Sequence, residues 1–194
     1  MPSGQRRGRW SGVPLRDRQT LRRDELVAAG VEVLGGASGS ALTVRAVCRA
    51  AGLTERYFYE SFNDRDEFVR AVYDHVCSTA MTALTSSTTP RDAVERFVAL
   101  MVDDPVRGRV LLIAPEREPV LTKSGAEWMP SFIELLQHKL TRITDPGVQA
   151  MVATAHVGAL TALFTAYLNG RLAVTREQFI DYCVDMLLGR VSTS

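Results

Sequence analysis

Arg56, Tyr57 and Tyr59 stand close together in the stretch from Thr54 to Ser61. A guanidinium beside two phenols gives a set of donors suited to phosphate oxygens and base edges. Thr43, Arg45, Thr54 and Arg65 lie near enough in sequence to join them. Hydroxyls and guanidinium groups of this kind contact phosphate without reading sequence.

Such a face works only if local structure holds it outward. Two short helical patterns, Thr43–Ala50 and Thr54–Ser61, flank the turn Ala51-Gly52-Leu53. Thr43 and Thr54 occupy N-cap positions. Gly52 supplies the positive φ that reverses the chain within three residues. Val44, Val47 and Cys48 give the first helix an apolar edge, and Leu53 and Phe58 close over it. Helix, tight turn, helix is the plan in which the second helix enters a DNA major groove.

Composition sharpens this. The 194 residues carry a net charge of only +1, but the charge is unevenly spread. Residues 1–23 hold Arg6, Arg7, Arg9, Arg16, Arg18, Arg22 and Arg23 against Asp17 alone. A basic end on a mildly acidic body suits an anionic partner at that end. A solvated arm is the alternative reading. Cys48, Cys77 and Cys183 are too far apart for a metal motif and suit a reducing cytoplasm. The N-terminus lacks the apolar core of a secretory signal. Val148–Leu168 is the most apolar run, but its threonines, Gln149 and His156 argue against a membrane span. No cofactor motif and no catalytic constellation is present. His75, His138 and His156 fall on three separate predicted helices without metal-type spacing.

The run GLTERYFYESFNDRDEF, Gly52 to Phe68, resembles the N-terminal signature of TetR-type transcriptional regulators. Gly52, Tyr59, Phe62, Arg65 and Phe68 fall on the signature positions, and the resemblance covers roughly residues 18–76. This chain departs from it with Gly30 in place of a common alanine, Leu34 in place of a frequent aromatic, and Arg65 in place of lysine. The connection Gly35–Ser40 also lacks the usual aromatic. The resemblance implies that Tyr59 binds phosphate. On position, Thr43, Arg45 and Arg65 would contact phosphate, and Arg56 and Tyr57 would face bases or phosphate.

An all-α fold of about nine helices follows. Residues 1–16 form a flexible basic arm and 17–65 a helix-turn-helix domain. Residues 66–194 form a helical effector-binding and dimerisation domain. The predicted body helices are Arg91–Val102, Val106–Ala114, Glu127–Thr144, Val148–Asn169 and Thr175–Arg190, with Pro130 in the first turn of the third. Val148–Asn169 is apolar nearly all round and rich in alanine, so it needs partners all round. Pairing the last two helices with a second copy satisfies that need. Two copies could then read a palindromic operator on duplex DNA. Met101, Leu112, Trp128, Phe132, His156, Phe164 and Tyr167 are the candidate linings of a small-molecule pocket, though each also suits a plain core. The leading reading is a dimeric repressor released by an effector. The other is an all-helical small-molecule-binding protein or enzyme whose turn motif is structural.

Overall fold

The computed structural model describes residues 15–36 and 42–190. The predicted arm, but for its last two residues, and most of the first inter-helix connection lie outside the described residues. Ten helices and no strand occur among the described residues. They are α1 (Leu15–Leu34), α2 (Val44–Ala51), α3 (Glu55–Tyr59), α4 (Arg65–Thr85) and α5 (Pro90–Met101). The chain continues with α6 (Pro105–Leu112), α7 (Ala114–Arg117), α8 (Leu121–Lys139), α9 (Pro146–Leu168) and α10 (Arg176–Leu187).

Local chemistry sets most of the boundaries. Thr43 caps α2 by accepting from the Ala46 amide, and Asp64 caps α4 by accepting from Glu67. Thr89 followed by Pro90 opens α5, and Thr175 with Gln178 forms a complete capping box on α10. Gly52 ends α2 at φ 67°, and its amide and that of Leu53 close onto Arg49 and Cys48 carbonyls.

Three expectations change. The predicted helix Glu127–Thr144 starts six residues earlier, at Leu121, and stops at Lys139. Pro130 therefore sits well inside α8 rather than in its first turn. It lies on an exposed face of the helix, where its missing N–H removes one intrahelical bond. The four-residue α7 was not expected, and it raises the count to ten.

One apolar core runs through α1, α2, α3, α4 and α6 and reaches Leu121 on α8. Leu26, Val47, Phe58, Phe68, Val72 and Leu121 are fully buried in it. Phe68 packs edge to face with Phe58 and Phe62 at centroid distances of 5.1 and 4.9 Å, and Phe58 and Phe62 meet tilted at 5.6 Å. A second core joins α5, α9 and α10 around Phe164 and Phe179. Ion pairs from Arg91 to Asp181 and from Arg176 to Asp103 clasp α10 to α5.

Gly30 has a packing reason. A Cβ there would come within 2.5 Å of Val72 Cγ2 and 2.6 Å of Phe68 Cζ. Both side chains are fully buried and have no room to yield. Replacing Gly30 by Ala gains about 1 kcal/mol of helix propensity but overpacks the α1–α4 contact at about 1–3 kcal/mol. The expected result of Gly30→Ala is a lower melting temperature, by a few degrees at about 2–4 °C per kcal/mol, read by circular dichroism.

Candidate DNA-reading surface and body cavity

The first turns of α2 and α3 lie side by side, with Arg45 Nε 3.7 Å from Glu55 Oε1. Arg45 and Arg56 have side chains 89% and 83% exposed, and Tyr59 is 58% exposed. Thr43 and Thr54 are exposed beside them. Thr54 makes no capping bond with its side chain, so its hydroxyl remains open. Phe58 turns inward between these groups and anchors the short helix. The outward face expected for Arg56 and Tyr59 is present.

Tyr57 differs. It is half-buried, and the Arg22 guanidinium lies over its ring at 4.1 Å from the centroid. Arg22 also pairs with Glu60 at 3.6 Å, and Arg56 Nε donates to the same carboxylate at 2.9 Å. Arg23 donates to the Ser61 carbonyl at 2.6 Å and stacks over Phe62. Two arginines from the basic N-terminal stretch thus fasten α3 to α1 rather than standing free for an anion.

Arg65 is also engaged. Its Nε donates to the Leu42 carbonyl at 2.8 Å, and Nη2 reaches both Glu118 oxygens at 2.7 and 2.8 Å. A weaker bond goes to Asp66. Glu118 follows α7, so this fork ties the start of the helix-turn-helix to the body. A second tie runs from Arg109 on α6 to the Gly35 carbonyl at 3.0 Å.

The body encloses a half-open cavity of about 960 Å³ between α4, α5, α6, α8 and α9, bounded also by the end of α10. That volume lies at the upper end of the range for small-molecule sites. Of the seven candidate residues, Leu112, Trp128, Phe132, His156 and Phe164 line it. Met101 and Tyr167 do not. Met101 is fully buried in the larger core, and Tyr167 stacks on Phe179 at 4.4 Å. Sequence reasoning missed Tyr73, Leu84, Phe97, Leu135, Lys139 and Arg142. The helical spacing of Trp128, Phe132, Leu135 and Lys139 along α8 was the available signal.

Polar groups on the walls are mostly spent. Trp128 Nε1 donates to Asp74 on α4 at 2.7 Å. The two ring nitrogens of His156 face the Val152 and Met186 carbonyls at 2.7 and 3.0 Å, joining α9 to the end of α10. A neutral imidazole donates to one of the two. Burial pushes the Tyr73 phenol up, and the Cys77 beneath it up to about 12. No group of three His, Cys, Asp or Glu side chains among the described residues is placed to hold a metal ion.

α9 leaves one stripe uncovered. Val148, Met151, Ala155, Gly158 and Ala162 recur every three or four residues and are all exposed, Met151 at 66%. By length and composition alone, α9 is apolar enough to cross a membrane.

No family model and no curated protein matches this chain. Solved structures do. A TetR-like transcriptional regulator from Rhodococcus sp. RHA1 superposes with a TM-score of 0.67 at 19% identity, covering 87% of this chain and 94% of that one. A TetR-family regulator from Streptomyces coelicolor gives 0.71 at 13% identity over 87% and 81%. The multidrug-binding protein EbrR, complexed with imidazole, gives 0.61 at 20% identity over 89% and 96%. At these identities the likeness is one of fold, and the chain has the fold of the TetR-type transcriptional regulators.

Proposed function

We propose that this chain is a homodimeric, sequence-specific DNA-binding repressor released from a palindromic operator by a small molecule. The observation that carries this is the exposed Arg45, Arg56, Tyr59 and Thr54 group on a helix-turn-helix that shares its core with a cavity-bearing body. Arg56 reads bases or phosphate, Tyr59, Thr43, Thr54 and Arg45 hold phosphate, and Tyr57 positions α3 through Arg22. Residues 17–65 act as the reading head and 66–194 as the effector and dimer module, with 1–16 an arm able to add phosphate contacts. A reducing cytoplasm suits three buried free thiols.

The α9 stripe supports the dimer. Small side chains at Ala155, Gly158 and Ala162 let a second copy approach closely, with Val148 and Met151 supplying apolar area. Gly158 has open space where a side chain would extend. Gly158→Glu is therefore expected to fold and to run as a monomer in light scattering, with operator affinity lost.

A ligand acts by binding the two head spacings with different affinity. The route is short. Leu111 and Leu112 on α6 line the cavity, and the same helix holds Gly35 through Arg109. The chain then passes through α7 to Glu118 and Arg65.

Selection of bound duplexes from random DNA is expected to return a palindrome; unsymmetrical or absent enrichment would reject the reading. On that operator, Arg56→Ala and Tyr59→Phe should each weaken binding by about tenfold while the melting temperature holds, measured by fluorescence anisotropy and circular dichroism. Affinity should fall with salt at a log–log slope near −0.9 for each phosphate neutralised. Arg65 joins those phosphate contacts only when Glu118 lets go. Glu118→Gln is accordingly expected to tighten binding and to steepen that slope by about one unit.

A further inference from the structure

The charge lining the body cavity is of one sign. Its titratable side chains are Tyr73, His138, Lys139, Arg142 and His156, and no aspartate or glutamate is among them. The acids on the flanking turns are committed elsewhere. Asp92 takes Arg96 and the Thr88 amide, and Asp145 caps α9 through Val148. The cations are gathered. His138 and Lys139 end α8, and Arg142 follows in the next loop. Lys139 Nζ donates to the Ser87 carbonyl at 3.0 Å, which sets this end of α8 against the Ser87–Pro90 segment and the start of α5. That leaves two of its three protons unspent. Arg142 has no hydrogen-bond or ion-pair partner among the described residues. The rest of the wall is apolar, with Phe97, Leu112, Phe132, Leu160 and Phe164.

Building on the effector reading above, we propose that this cavity takes an amphiphilic organic anion. Its apolar body lies among the phenylalanines and leucines, and its acidic head meets Lys139 and Arg142. A lipophilic cation entering here would lose its hydration with no carboxylate to replace it. A neutral compound gains only from buried area. An anion gains charge-assisted bonds as well. Complementing the α8 C-terminal dipole accounts for His138 and Lys139. It does not account for Arg142, or for a lining without acids.

The test uses the full chain and one twelve-carbon tail with three heads: dodecanoate, dodecanol and dodecyltrimethylammonium, each below its aggregation concentration, by titration calorimetry. Dodecanoate is expected to bind about tenfold or more tighter than dodecanol, and the ammonium weakest. Arg142→Gln, and Lys139→Gln with it, should bring dodecanoate down to the affinity of dodecanol and leave dodecanol unchanged. The dodecanol arm also reports that the variants keep the cavity. An ammonium that binds as tightly as the acid overturns the proposal. So does a double variant that keeps the preference, or a chain that binds none of the three. No DNA is present in this measurement, so its failure leaves operator binding standing, and failed operator selection leaves the ligand result standing.

Discussion

The buried face of α4 constrains everything else in this molecule. Phe68, Val69, Val72, Tyr73, Val76, Cys77 and Ala80 are packed from both sides, by α1 and Phe58 of α3 at one end and by α5, α6 and α8 further along. Interiors of this density shift between discrete arrangements rather than deforming smoothly. The helix-turn-helix therefore has no core of its own and shares one with the body. Arg65 is the polar counterpart of that packing. One planar fork grips a backbone carbonyl of the head and a carboxylate of the body, and its geometry leaves little slack.

The cavity sits against the same helix. Tyr73 and Leu84 present α4 to it, and the indole of Trp128 is fixed to Asp74, the residue after Tyr73. α4 and α6 both line the cavity. The same two helices hold the helix-turn-helix, through Arg65 at the start of α4 and through Arg109 in the last turn of α6. Packed side chains and two guanidinium groups are thus what joins the cavity wall to the helix-turn-helix.

What could be read in the sequence was local. Thr43, Gly52, Asp64, Thr89-Pro90 and the Thr175–Gln178 box act within four residues, so their elements were legible to within a few positions. The outward placement of Arg56 and Tyr59 followed from the inward placement of Phe58. What escaped was settled at a distance. Arg65 finds Glu118 fifty-three residues away, and Arg23 finds Ser61 thirty-eight away. Nothing in the spacing of arginines separates such fasteners from phosphate contacts. The first six residues of α8 escaped because Pro119 and Gly125 suggested a loop, whereas packing of Leu121 and Ser124 carries the helix through. The cavity draws on six helices, so its lining became visible only once they were assembled.

The three thiols bear on the redox chemistry open to the folded chain. Cys48, Cys77 and Cys183 are buried, and burial raises each above the ordinary thiol range, Cys183 to about 11. Peroxides and electrophiles attack thiolates that are charged and reachable, and these are neither. Through its cysteines the folded chain offers oxidants and electrophiles no handle.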